Sequence, residues 1–180
     1  LYGSDRLMFS PSWLPDHETP LSYVAKGGVE VKAAILNYPA IDVDRLCKSG
    51  FETVANPFWA VGKVKARSIL ADSLSYRTHP SYYKAVSPVY QIPAKSERLL
   101  PPQLCIVGSL DVVTPPRYVK RYVDRCQKLG QPIEFWKYKG KQHAFLSPIK
   151  NTASLFDFTR DAPFAIDKMI SFLDGVFYKE

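Results

Sequence analysis

A chain of 180 residues with 46% apolar side chains is long enough to bury one real core, and its composition is that of an ordinary globular domain. The formal net charge of +7 invites a nucleic-acid reading, but the basic residues between 117 and 128 alternate with apolar ones at helical spacing and form the wet face of an amphipathic helix. No zinc-finger or RNP-like pattern accompanies them, so nucleic-acid binding ranks last, and no run approaches the roughly 18 apolar residues of a membrane span.

The first residues, Leu1 to Arg6, have no basic region followed by an apolar stretch, so no signal peptide is expected. The absence of an initiator Met fits a trimmed or partial chain. Cys47, Cys105 and Cys126 are odd in number, widely spaced and without zinc-like pairing, which points to a reducing, cytoplasmic setting. Residues 1–28 read as an irregular N-terminal segment, with Pro11, Pro15, Pro20 and Gly27-Gly28, and a short helix over 21–25. Residues 29–180 read as the α/β portion. It opens on a buried strand over 31–38 that Pro39 stops.

From 42 to 100 no comparable strand appears. A helix is expected near 57–71, with Phe58, Val61, Val64 and Ile69 on one face, followed by a tyrosine- and proline-rich stretch. About sixty residues between two sheet strands exceed an ordinary crossover and read as a cap-like insertion over about 43–98. Trp59, Tyr76, Tyr82 and Tyr83 either line a pocket there or, as is commoner, form core between insertion and sheet.

The last eighty residues are the most regular. A strand over 103–108 precedes a helix that Thr114 can cap, with Pro115 at its first position. Tyr118, Val119, Tyr122, Val123, Cys126 and Leu129 form the apolar stripe, and Gly130 ends the helix. A strand over 133–138 follows. Asp161 can cap a final helix with Pro163 in its first turn, turning Ala165, Ile166, Met169, Ile170, Leu173 and Phe177 to the sheet. Strand, helix, strand and helix on short connections predict a parallel α/β sheet. Ligands of such sheets collect at the carboxyl ends of the strands, where Asp111 and His143 would lie.

These two residues are the catalytic candidates. Each follows a strand, and a carboxylate within hydrogen-bonding reach holds a neutral imidazole in one tautomer and stabilises the imidazolium that forms when a nucleophile is deprotonated. The bland alternatives are a turn carboxylate for Asp111 and a surface loop histidine among lysines for His143. For Ser109 and Thr114, turn and cap chemistry is favoured. His79 reads as structural or exposed, and Asp16-His17-Glu18 as a solvated loop rather than a metal site.

The chain resembles the C-terminal half of an α/β-hydrolase of the hormone-sensitive-lipase-like esterase group. Residues 100–111, ending Gly108-Ser109-Leu110-Asp111, resemble that group's strand carrying the catalytic acid, and Tyr138-Lys139-Gly140-Lys141-Gln142-His143-Ala144-Phe145 resembles its histidine segment. Residues 119–130 with Pro132-Ile133-Glu134 resemble the helix and turn between them. Residues 34–42 resemble the strand before the family's inserted helices, and Ser87-Pro88 a short motif before the acid strand. The likeness covers roughly residues 29–178. It implies a parallel sheet flanked by helices with a helical cap-like insertion, a serine attacking an acyl ester, and no metal or organic cofactor.

Two departures stand out. Ala144 replaces the glycine the family usually has after the histidine, and no G-x-S-x-G or HGGG-type loop occurs in the chain. Since this fold runs serine, acid, histidine, the nucleophile would precede residue 33, yet Ser4, Ser10, Ser12 and Ser22 lack glycine-flanked elbows. The expected function is therefore the C-terminal portion of a serine carboxylic ester hydrolase supplying Asp111 and His143. The alternative is a non-catalytic hydrolase-like module that binds a ligand or partner. Either way an open strand edge is expected, to be covered by a complementary N-terminal polypeptide or by self-association.

Overall fold

A computed structural model of the chain describes residues 30–61, 63, 65–70, 74–147 and 157–178. The chain divides into two units, Leu1–Lys32 and Ala33–Glu180. Of the first, residues 30–32 are described, and Lys32 pairs with Glu30 at 2.6 Å. The irregular segment 1–28, the helix expected over 21–25, Ser4, and His17 with its neighbours all lie outside the described residues.

In the second unit the most apolar run becomes the centre of the sheet. Strands β1 (Ala34–Asn37), β2 (Gln103–Gly108) and β3 (Ile133–Tyr138) pair in parallel in the order β1-β2-β3. Every residue of β2 is buried, whereas β1 is half-buried throughout. The sequence predicts a strand from 31 to 38 as buried as β2; the difference arises because β1 has a paired neighbour on one side only among the described residues. A parallel strand is enclosed only when both its edges and both its faces are covered.

Between β1 and β2 run helices α1 (Val43–Lys48), α2 (Pro57–Val61) and α3 (Pro80–Val86) and a 3₁₀ turn over Pro88–Tyr90. Sequence periodicity anticipates only the second, and extends it to 71. The helix stops at Val61, and Lys63 soon afterwards adopts a φ of +52°, outside the helical region. Val64 and Ala71 lie outside the described residues, while Ile69 donates its N–H to Glu52 in place of a helical carbonyl. Helix α1 is too short to show a period, and its start is local: Asp42 accepts from the N–H of Arg45. Ser87 ties α1 to α3, accepting from the N–H of Asp44 and donating to the Tyr83 carbonyl. Trp59 and Tyr83 are buried with Phe51, Leu46 and Cys47, and Tyr76 packs on them, so these aromatics form core, while Tyr82 is exposed.

Helices α4 (Pro116–Lys128) and α5 (Phe158–Phe177) follow β2 and β3. Helix α4 buries Val119, Tyr122, Val123 and Cys126. Leu104 and Ile106 of β2 pack instead with Phe145 and with Ala165 and Phe172 of α5. The capping expected of Thr114 and Asp161 is corrected. Helix α4 begins one residue later than expected: Pro115 takes the cap position and, having no polar side chain, leaves the helix without a side-chain cap. Asp157 caps α5, which leaves Asp161 inside the first turn, buried.

Candidate active site

Two loops at the carboxyl ends of β2 and β3 interlock. Ser109 donates its N–H to the Tyr138 carbonyl and Leu110 to the Lys141 carbonyl, each at 2.8 Å, while Gly140 donates to Ser109 Oγ at 2.8 Å. Gly108 is where they come closest: a Cβ there would collide with the backbone carbonyls of Lys141 and Gln142, which explains the glycine at this strand end. Below the loop Phe145 is completely buried, edge-on to Tyr38 and Tyr138. On its outer side Lys141 Nζ reaches the buried Asp161 carboxylate at 2.5 Å.

This interlock brings Asp111 and His143 together. Asp111 Oδ2 lies 2.9 Å from His143 Nδ1. The other carboxylate oxygen, Oδ1, accepts the N–H groups of Val113 at 2.9 Å and Thr114 at 2.8 Å, an Asx-type turn. The Asp111 side chain is fully buried, and that of His143 keeps 24% exposure. Because Nδ1 faces the carboxylate, Nε2 projects from the opposite side of the ring. A histidine so held can take a proton at Nε2 while the carboxylate stabilises the resulting imidazolium.

Two further residues complete the surroundings: Tyr38, which its sequence neighbourhood does not mark, and Thr114, for which turn and cap chemistry is expected. Tyr38, just past β1, sets its ring edge-on to His143 with centroids 4.9 Å apart, at a backbone φ of +39°. Burial and the neighbouring Asp111 charge raise the Tyr38 phenol above its ordinary range, so it stays neutral. Thr114 reaches both members of the pair with its hydroxyl: Oγ1 lies 3.0 Å from Asp111 Oδ2 and 3.2 Å from His143 Nδ1. The one available signal was its place three residues after the acid. Ser109 keeps its expected turn role. His79 precedes α3, is exposed, and its ring meets the Thr78 hydroxyl at 2.8 Å.

The three cysteines offer no substitute nucleophile. All are free and buried, and burial pushes the Cys47 and Cys105 thiols up to about 12 and raises Cys126 as well. At neutral pH they remain thiols, which are inert compared with thiolates. Among the described residues no group of three or more histidine, cysteine and acidic side chains is placed to hold a metal ion.

A family model for the alpha/beta hydrolase fold matches residues 17–147. This chain belongs to the α/β-hydrolase fold family. Its sheet agrees: parallel, flanked by helices, with the acid and histidine on successive strand ends. Puromycin hydrolase is 18% identical, with a TM-score of 0.55 over 83% of this chain and 19% of its own. Thermogutta terrifontis esterase 2 is 20% identical, with a TM-score of 0.47 over 87% of this chain and 48% of its own. The α/β-hydrolase chain described here therefore spans about a fifth of the first protein and about half of the second. No curated protein matches it in sequence. Among the described residues, no helix of this family member is long and apolar enough to cross a membrane.

Proposed function

We propose that this chain is the C-terminal portion of a serine carboxylic ester hydrolase of the hormone-sensitive-lipase-like group, with Asp111 and His143 as its catalytic acid and base. The observation that carries this reading is the 2.9 Å contact between Asp111 Oδ2 and His143 Nδ1 at the ends of adjacent parallel strands. In the complete enzyme, His143 Nε2 takes the serine hydroxyl proton as Oγ attacks the ester carbonyl, and returns it to the departing alcohol. A water molecule, deprotonated by the same nitrogen, then releases the acid. Asp111 holds the ring and balances the charge on imidazolium throughout. Segment 43–98 acts as the cap beside the acyl ester, and residues 29–180 form one α/β portion.

The serine and the oxyanion donors come from a complementary N-terminal polypeptide, for this chain has no G-x-S-x-G. Support comes from β1, which has an unpaired edge among the described residues. Ile166, Ile170 and Phe177 of α5 are also large exposed apolar side chains. The missing elbow equally favours a second reading, a non-catalytic hydrolase-like module that binds a ligand or partner.

One experiment separates the two. The chain is joined to the polypeptide encoded upstream, and p-nitrophenyl ester hydrolysis and serine-directed fluorophosphonate labelling are measured. The enzyme reading expects both to appear together, and His143→Ala or Asp111→Asn to lower kcat by about a thousandfold or more. Hydrolysis indifferent to both substitutions, or no labelling of an upstream serine, would replace it with the module reading. The chain alone should hydrolyse the ester no faster than its His143→Ala variant.

A further inference from the structure

We infer that Thr114 is a positioning residue of this site, whose hydroxyl ties Asp111 and His143 to the main chain at the end of β1. The inference rests on the reading of Asp111 and His143 as a working pair. Thr114 is 5% exposed, and its Oγ1 lies 3.0 Å from the Tyr38 carbonyl oxygen, 3.0 Å from Asp111 Oδ2 and 3.2 Å from His143 Nδ1. A hydroxyl offers one proton and two lone pairs. Here the proton is shared between the Tyr38 carbonyl and the carboxylate, and a lone pair faces the Nδ1 proton of the neutral imidazole. Three-centre bonds of this kind are common in proteins.

What this adds is control of a soft torsion. The N–H groups of Val113 and Thr114 both reach Oδ1, which fixes the position of that oxygen. Rotation about the last bond of the side chain is broad on its own, and it is restrained here from both ends, by these two bonds to Oδ1 and by the Thr114 hydroxyl on Oδ2. Oδ2 is the oxygen that meets His143, and the Thr114 hydroxyl is its other donor. A β-branched side chain is stiff at χ1, so the hydroxyl is itself well placed. The competing use is absent: Pro115, not Thr114, takes the cap position, and no side-chain cap bond forms at the start of α4. Finally, the Tyr38 carbonyl anchors the hydroxyl to a residue that also packs against the imidazole, so one element sets both ring and carboxylate.

The test reads the His143 tautomer in the ¹⁵N-labelled chain by long-range proton–nitrogen correlation, at a pH where the ring is neutral. Wild type is expected to hold the proton on Nδ1. Thr114→Val, which keeps shape and removes the oxygen, should lower the Nδ1–H to Nε2–H ratio at least fivefold, and Thr114→Ser should restore it. A wild-type ratio in Thr114→Val, or a collapsed ratio in Thr114→Ser, would overturn the inference while leaving the pair intact. Asp111→Asn is the separate control: if it leaves the tautomer ratio unchanged, the pair itself is misread and both proposals fall. Should Thr114→Val not fold, hydroxyl exchange in the wild type decides. A Thr114 hydroxyl proton exchanging at least tenfold slower than that of free threonine supports the tie, and exchange at the free rate overturns it.

Discussion

Helices α4 and α5 both carry apolar stripes in the sequence, yet the fold treats them differently. On α4 the middle of the stripe is used, with Val119, Tyr122, Val123 and Cys126 buried and Tyr118 and Leu129 at its ends half-buried, and Arg121 on its flank reaches Asp42 and the Tyr90 ring of the segment between β1 and β2. On α5 the apolar arc is wider than its partner surface. Ala162, Ala165 and Phe172 are buried, and Met169 and Val176 pack beside them. Ile166, Ile170 and Phe177, spaced to share an adjoining face, stay 41%, 51% and 54% exposed. Anchoring differs too. The first turn of α5 is held by charge, with buried Asp161 bound to Lys141 Nζ at 2.5 Å and to Arg160 Nε at 2.6 Å. An apolar stripe thus states what a helix is able to bury; the neighbours decide what it does bury.

The sharpest way to break this contrast is to place a carboxylate on each helix. Val123→Asp buries a charge without a partner and should cost several kcal/mol, enough to abolish cooperative thermal unfolding. Ile170→Asp should change stability by only about 0.5 kcal/mol, as an exposed substitution does. It should also reduce self-association, read as a shift toward the monomer boundary in sedimentation at low micromolar concentration. Equal damage from both would mean that the exposed face of α5 is covered after all.

The electrostatic anchor predicts a pH dependence confined to α5. The Arg160 hydrogen bonds, against the opposing effect of burial and with help from Lys141, hold the Asp161 carboxyl down at about 2. Its folded value is therefore below its unfolded one, near 4, so the stabilisation is complete above about pH 4 and is lost as pH falls through about 2. Arg160 is half-exposed, which screens part of the effect. The difference in unfolding free energy between wild type and Asp161→Asn, from urea titrations, should be about 1–2 kcal/mol smaller at pH 2 than at pH 5. A constant difference would mean that the anchor is steric rather than ionic.

The smallest effect lies in the histidine loop, on the α5 side of the sheet through Phe145. Ala144 holds a φ of +57°, a left-handed conformation costly for any residue with a Cβ. Ala144→Gly should therefore raise stability by about 0.5–1 kcal/mol, seen as a rise of roughly 2–4 °C in melting temperature. An unchanged melting temperature would show that Phe145 packing alone sets the loop.

Much of the C-terminal half was legible in the sequence because its signals are local. The apolar run Leu104 to Val107 made β2, aromatic and aliphatic residues at Ile133, Phe135, Trp136 and Tyr138 made β3, a 3.6-residue stripe made α4, and Gly130 ends that helix at a φ of +75°. The order of Asp111 and His143 on successive strand ends placed the pair before any coordinates did. Tertiary structure decided the rest. Helices of six and seven residues are too short to show a period and exist because Asp42, Ser87 and Tyr83 hold them in place. Thr114 turned from cap to site because α4 starts one residue later, behind Pro115, and the chain just past β1 brought the Tyr38 carbonyl within 3.0 Å of its hydroxyl. Asp161 turned from cap to buried anchor because α5 begins at Phe158, four residues before the position expected from Pro163. Local pattern sets which side chains lie on which face. Which face meets a partner depends on contacts between residues from 20 to 79 positions apart, and no local window of sequence shows those.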